Sequence, residues 1–420
     1  HRILKWFQKC TSGWIKINTL KILIISQYFY PENFKINDVA LTLKEKGYEV
    51  EVLTGIPNYP LGKFYDGFKF WSKNDSFFKG IKVYRAKLIP RKRGGSLMIS
   101  LNYLSFVFFG FFKLMTINKK FDKIITFAPS PITVGILGSI ASIKYKAKSL
   151  LWVQDLWPES VKIAGGVKNP LILYFLDFLT RAIYKFTDFI LVQSEFFEEY
   201  LINQRVSKNK IKYLPNYAED FYRIVEPDKM IKKSYGDGFA IVFAGNIGEA
   251  QNLNVLVDAA NILKDDQINV KFILIGEGRY KDFLKQYIER LNLEDLIIFK
   301  GYVNPVEIPQ YFASADALFL SLKSSKIFSL TIPSKLQTYM ACARPIIGSI
   351  DGVSAKIIND SKSGFTCEPG NPKLLAKIIK QMTKLSAQER IEMSKNGRNY
   401  YLKKFDKNVV INKLITVINQ

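Results

Sequence analysis

Short apolar runs alternate with helix-length segments along this chain, and the alternation runs through twice. The first series opens with KILIIS at Lys21 and continues at Glu49–Leu53, Ile81–Arg85, Lys123–Phe127, Leu150–Val153 and Asp188–Val192. The second opens at Ala240 and continues at Val270–Ile275, Leu296–Lys300, Asp316–Leu320 and Pro345–Gly348. Strands alternating with helices imply a parallel sheet covered on both faces. The expected fold class is therefore α/β, with two doubly wound, Rossmann-like domains. Ligands in open sheets of this kind lie beyond the carboxyl ends of the strands, so two such domains facing each other would enclose a cleft. The expected organisation is an extension outside the fold at 1–20, a first domain at 21–216, a linker at 217–238 and a second domain at 239–395. A C-terminal helix at 396–420 is expected to pack back toward the first domain.

The second series starts with the most informative stretch, Phe239–Leu263. Its apolar run ends at Gly245-Asn246-Ile247-Gly248, and Leu253, Leu256, Val257, Ala260 and Leu263 then recur at helical spacing. A strand, a tight turn and a helix in that order leave N–H groups at a helix start, where an anion such as a diphosphate is favoured. The glycines let such an anion approach. A turn whose Gly pair merely ends the strand fits the same pattern.

Composition narrows the chemistry. Of 420 residues the only histidine is His1, which removes His-based general bases, Ser-His pairs and His-ligated metals from the folded part. Cys10, Cys342 and Cys367 are too few and too scattered for a disulfide framework or a zinc site, as expected of a reducing cytosolic setting. Lys and Arg outnumber Asp and Glu by 61 to 37, a formal net charge of +24. Such a surface attracts nucleic acid, acidic lipid headgroups or phosphorylated substrates.

Two segments stand outside the alternation. Residues 1–20 lack the long apolar region and small-residue cleavage site of a signal peptide and read as an extension or as a basic, Trp-bearing membrane-surface segment. Leu97–Ile117 is nearly long enough to span a bilayer, but spanning would separate the strands at Ile81 and Lys123, which one sheet needs together. A buried core helix and a helix lying partly in a membrane face both remain open for it.

Three places carry candidate chemistry. In Ile332-Pro333-Ser334-Lys335-Leu336-Gln337-Thr338-Tyr339-Met340 the Pro and Ser mark a helix N-terminus, and Lys335 adds a full positive charge to the helix dipole. That charge suits a leaving diphosphate, whereas a solvated surface lysine is the plainer alternative. Gly276-Glu277-Gly278 closes the strand at Val270, either against a ligand or as a turn. Asp155 follows the strand at Leu150 and reads as a catalytic acid or as the cap of a helix starting after Trp157-Pro158.

Taken together, NYP at Asn58–Pro60, YLSF at Tyr103–Phe106, DLWPES at Asp155–Ser160, FAGNIGEAQN at Phe243–Asn252 and IPSKLQTYMA at Ile332–Ala341 resemble the retaining family-4 glycosyltransferases of the GT-B fold. The branch most similar is that of the bacterial fucosamine-transferase-like enzymes of O-antigen and capsule assembly. The resemblance runs from Lys21 to the C-terminus. It implies a UDP-sugar donor in the C-terminal domain, a lipid-linked saccharide acceptor in the N-terminal domain, retention of anomeric configuration, and neither cofactor nor required metal. Lys335 and Asp155 are implied as catalytic. The implied donor site comprises Gly245, Asn246, Gly248, Glu249, Gln251, Asn252, Gly276, Glu277, Gly278, Tyr302, Pro333, Ser334, Gln337 and Thr338. The implied acceptor site comprises Tyr30, Glu32, Asn33, Asn58 and Tyr59.

The chain departs from the family pattern at several points. Two glutamates eight positions apart are matched here by Leu330 and Thr338, and the Arg and Lys that relatives aim at the diphosphate are matched by Asn246 and Gln251. Lys335 is left as the evident cation. An apolar Leu330 suits a deoxy or N-acetylated amino sugar, since it leaves a buried hydroxyl unpaired. A cytoplasmic enzyme, peripheral on the inner face of the membrane, is expected from the net charge, the triplet Arg91-Lys92-Arg93 and the aromatic helix after it, with Phe108, Phe109 and Phe112 reaching an anionic surface. Two other classes compete. A nucleotide-sugar epimerase would need more acid/base groups than a chain without internal histidine supplies. The other is a basic protein that binds nucleic acid or membrane on an inactive enzyme fold; a nucleic-acid binder would interleave basic and aromatic residues along one groove, and here the basic residues are spread over the chain.

Overall fold

The computed structural model describes residues 19–92, 95–164, 167 and 169–420. The readings placed on residues 1–18 and on Arg93 lie outside the described residues. The chain forms two units. One holds the chain up to Val192 with Ile202–Lys212 and Val417–Gln420, and the other holds Gln193–Leu201 and Tyr213–Thr416.

The first unit is built on a sheet of eight strands, β1 (Lys21–Ser26), β2 (Glu49–Gly55), β3 (Ser76–Phe78), β4 (Ile81–Ala86), β5 (Lys123–Ala128), β6 (Lys148–Val153), β7 (Phe189–Val192) and β8 (Ile211–Tyr213), in the order β3-β4-β2-β1-β5-β6-β7-β8. Ile24 lies beside Val52 on one side and Ile125 on the other, in parallel register. Only the short β3 is shown antiparallel, at one edge, where Ser76 faces Val83. The main helices are α1 (Lys35–Glu45), α2 (Ser96–Met115), α3 (Val134–Tyr145), α4 (Glu159–Ala164) and α5 (Pro170–Lys185). Among the described residues α2 is the one helix long and apolar enough to cross a membrane. The strands flanking it, β4 and β5, belong to the same sheet, so α2 returns the chain to that sheet. One face of α2 packs inward through Asn102, Phe106, Gly110 and Leu114, while Leu97, Leu104, Phe108 and Phe112 stay exposed. Helix α2 is thus buried along one face and apolar but exposed along the other.

The second unit has six strands, β9 (Phe239–Ala244), β10 (Val270–Ile275), β11 (Ile297–Gly301), β12 (Ala317–Ser321), β13 (Ile346–Ser349) and β14 (Gly364–Cys367), in the order β11-β10-β9-β12-β13-β14. Its pairs are parallel throughout. Side chains alternate across this sheet as the strand period of two demands. Ala240, Val242 and Ala244 face one core with Leu336, Tyr339 and Met340, while Ile241 and Phe243 face another with Leu256 and Ala260. A single helix, Ala387–Lys404, runs through position 395, and Tyr401 and Phe405 at its end sit in the first of those cores. The last residues reach the first unit, where Tyr48 Oη donates to Asn419 Oδ1 (3.4 Å) and Lys148 Nζ donates to the Gln420 carbonyl (2.6 Å).

Candidate active site

From β9 the chain steps to β10 on one side and later to β12 on the other, so the strand order reverses beside β9. Open parallel sheets bind ligands at such a point. A cavity of about 660 Å³ lies there, at the carboxyl ends of β9, β10, β11 and β12. This is within the usual range for a small-molecule site. Of the donor residues expected from sequence, it brings together Gly245, Asn246, Gln251, Gly276, Glu277, Tyr302, Pro333, Ser334, Lys335 and Thr338.

Lys335 is the one cation among the described residues that line it, with Glu219 and Glu277 as the acids. The helix Ser334–Ala341 begins at Pro333, which offers no side-chain cap, so the dipole at its start is met by no acceptor from that residue. The Lys335 Nζ lies over the Phe243 ring, 4.1 Å from its centroid. Burial alone pushes its pKa down to about 7, with no carboxylate in the balance. The solvated-surface reading of this lysine therefore fails. Gly245 makes the position of Lys335 possible: at φ 142°, a Cβ on it would come within 2.4 Å of Lys335 Cε.

The turn after β9 departs from its expected form. Gly245 N donates to the Ile275 carbonyl (2.9 Å) and Ile247 N to the Glu277 carbonyl (2.8 Å), while Gly248 N donates to Gln251 Oε1 (3.1 Å). Three N–H groups expected to await an anion are thus already used. The following helix starts only at Asn254. Gly276 and Gly278 are glycines because the two turns pack backbone to backbone: a Cβ would come 2.0 Å from the Gly245 carbonyl oxygen and 2.1 Å from that of Ile247. Gly248, Glu249, Asn252, Gly278 and Gln337 do not line the cavity. Glu249 instead pairs with Lys323 (2.5 Å), and Gln337 is buried. Thr338 does line it, but its hydroxyl donates to the Lys335 carbonyl (2.9 Å).

Sequence reasoning missed Glu219, Tyr222, Ile308 and Phe312, which line the same cavity. The first two fall in the stretch read as a linker. The Phe221-Tyr222 pair was the available signal, since aromatic neighbours are rare in true linkers, and Tyr222 stacks on Phe312 at 6.5 Å.

In the first unit the expected residues gather at the carboxyl ends of β1, β2, β4 and β6. Glu32 is buried, and its carboxylate accepts N–H bonds from Asn58 (2.8 Å), Tyr59 (2.7 Å) and Phe29 (3.4 Å). Desolvation pushes its pKa up to about 7 in spite of those bonds. Glu32 therefore organises the loops and is not open to an acceptor. Asn58 is likewise interior, bonded to the Ile56 carbonyl and to Asn102. Asn33, Tyr30 and Tyr59 are exposed, and Tyr30 lines a second cavity of about 400 Å³ with Tyr65, Phe68 and Arg85.

Arg91 corrects the basic-triplet expectation. Its guanidinium stands 5.1–5.2 Å from the ring centroids of Tyr28, Tyr59 and Tyr103. It donates to the hydroxyls of Tyr28 and Tyr103 and to Asn102 Oδ1. A guanidinium caged this way ties the loops of Tyr28 and Tyr59 to helix α2 and is not presented to lipid. Lys92 remains exposed. Phe109 is half-buried, edge-on to Phe70 at 5.7 Å, which leaves Phe108 and Phe112 as the outward pair.

Asp155 lies two residues past the end of β6. Helix α4 starts four residues later, and its first turn bonds to the carbonyls of Leu156 and Pro158, so Asp155 does not cap it. Burial raises the Asp155 pKa to about 6. Among the described residues no group of three or more His, Cys, Asp or Glu side chains could hold a metal ion.

Comparison with known proteins agrees with this architecture. Residues 35–217 match the family model described as glycosyl transferase 4-like domain, and residues 225–400 match glycosyl transferases group 1. The chain is 25% identical over 254 residues to a probable glycosyltransferase, WbjE, of Pseudomonas aeruginosa, covering 57% of this chain and 60% of WbjE. It is 24% identical over 343 residues to the putative colanic acid biosynthesis glycosyl transferase WcaI of Escherichia coli K12, covering 77% and 81%. Among solved structures, Anabaena HepE in complex with UDP-glucose superposes with a TM-score of 0.66 at 18% identity, covering 95% of this chain and 99% of HepE, a likeness of fold. With two parallel α/β units, one matched by each family model, the chain belongs to the family-4 glycosyltransferases of the GT-B fold.

Proposed function

We propose that this glycosyltransferase is a retaining enzyme that moves a sugar from UDP to a polyprenyl-diphosphate-linked saccharide during O-antigen or capsule assembly, at the inner face of the cell membrane. The observation that carries the donor half is the half-buried Lys335 beside an uncapped helix start, in a cavity large enough for a nucleoside diphosphate sugar. In the proposed step the bond from the anomeric carbon to the diphosphate breaks, and the acceptor oxygen bonds to that carbon on the same face. The acceptor proton passes to the departing β-phosphate. Lys335 balances the charge gathering on that diphosphate, so the chain's own cation serves where a metal would in other folds. Asp155, ionised, orients the acceptor hydroxyl. Support for UDP comes from HepE, solved with UDP and with UDP-glucose, and support for polysaccharide assembly from the name of WcaI. Leu330 in place of an acid favours a deoxy or N-acetylated amino sugar in the fucosamine-transferase-like manner.

The acceptor half rests on the exposed apolar side of α2, where Phe108 and Phe112 project beside a chain of net charge +24. The test is incubation with a panel of UDP-sugars and a lipid-linked saccharide in anionic vesicles, following UDP release and the anomeric configuration of the product. Release of UDP with the donor configuration kept is expected. Inverted product would refute retention, and no UDP release from any donor would refute the donor assignment.

A further inference from the structure

Helix α5 carries a second apolar stripe that the activity leaves unused. Its inner side holds Thr180, Ile183 and Tyr184 in the protein, while Leu171, Tyr174, Phe175 and Phe178, at spacings of three and four, are each 60–77% exposed. Four large apolar residues in one outward row are far from the scattered single exposures normal on a soluble surface.

The topology sets this row on the same face of the sheet as that of α2, with α3 between them. The crossovers β4 to β5, β5 to β6 and β6 to β7 all step in one direction along the sheet, whereas β1 to β2 steps in the other. Right-handed crossovers then put α2, α3 and α5 on one face of the sheet and α1 on the opposite face. Helix α3 packs against both α2 and α5, and its outward row of Ile136, Ile140 and Ile143 is apolar as well, with Ile143 fully outward. The three helices make one apolar face.

We propose that α5 is a second membrane-contacting helix, so that the face formed by α2, α3 and α5 lies on an anionic lipid leaflet with α5 inserting Leu171, Phe175 and Phe178. The inference rests on the reading of α2 as membrane-facing and extends it to the other end of the sheet. Charge favours lipid over a second copy of this chain. From Ser96 to Phe186 the chain has 11 Lys and Arg against 4 Asp and Glu, so two such faces brought together repel each other, whereas an anionic leaflet attracts each. Lys146 and Lys185, exposed at the ends of α3 and α5, stand where headgroups would meet them. Two apolar rows also supply the paired signals that lasting peripheral attachment requires.

Flotation of the full chain with phosphatidylcholine vesicles containing about 30% phosphatidylglycerol tests this at low salt. Three proteins are compared: wild type, an α5 variant (Leu171→Ser, Phe175→Ser, Phe178→Ser) and an α2 variant (Phe108→Ser, Phe112→Ser). All changed side chains are exposed, and thermal melting with and without UDP verifies each fold. The α5 variant is expected to lose at least tenfold in vesicle partition with its UDP response intact. Wild-type flotation of the α5 variant beside loss in the α2 variant would overturn the role of α5 and leave the α2 reading standing. Failure of wild type to float would overturn both. An α5 variant that floats normally but turns a dimer into a monomer in sedimentation would make the face a self-association surface instead.

Discussion

Lys335→Ala lowers the rate of sugar transfer on the order of a hundredfold, the cost of removing one preorganised charge donor from a developing anion. The loss falls on the chemical step, since the charge on the diphosphate grows as the bond to the sugar breaks. Stability moves the other way. Burial holds the Lys335 pKa at about 7, below its unfolded value near 10.4. Between those values the unfolded chain binds the extra proton, so the ammonium penalises the fold most at low pH and the penalty fades as pH rises. The alanine variant therefore melts no lower than wild type at pH about 6 while losing turnover. A melting point and a single-turnover rate on one preparation check both halves.

Asp155→Asn removes the second charge, and turnover is expected to fall by a similar factor in a folded protein. A cap would show the opposite pattern, about 1 kcal/mol of stability lost and activity kept. The Asp155 pKa is raised to about 6, above the usual carboxylate value, so the folded state favours the protonated form. Its contribution to stability is present at low pH and is lost as pH rises through about 4 to 6. The neutral asparagine is thus no less stable at pH about 7. In kcat/KM the wild type should rise through pH about 6 as Asp155 ionises and decline above about 7 as free Lys335 loses its proton. In kcat the alkaline limb moves higher, because bound diphosphate holds the proton on Lys335. A wild-type profile flat from pH 5 to 9 would contradict both roles.

Every strand of five or more residues was legible, because a short, largely apolar segment set between helix-length segments has few other solutions. Strands β3, β8 and β14 were not, since none of SFF, IKY and GFTC carries a run of more than two adjacent apolar residues, whereas the equally short β7, FILV, is apolar throughout. The site was legible in position but not in state. Lys335 reads as a surface cation until Phe243 is folded against it, and Arg91 reads as a docking charge until Tyr28, Tyr59 and Tyr103 close round it. The turn at Gly245 reads as an open cradle until the backbones of Ile275 and Glu277 take its N–H groups. In each case the deciding partner is far away in sequence, and a local pattern carries no information about it. Glu219 and Tyr222 were hidden for a related reason: polarity marks a stretch as exposed but does not say what cavity it borders.

Titration calorimetry of UDP against wild type and Lys335→Ala, at pH about 8 in two buffers of different ionisation enthalpy, tests the donor site most directly. Free Lys335 is largely neutral there, and a diphosphate beside it restores the charge. Wild type is expected to take up about one proton per UDP bound, and the variant to take up none and bind at least tenfold more weakly. Equal affinity and equal proton uptake in the two proteins would show that the diphosphate does not lie against Lys335.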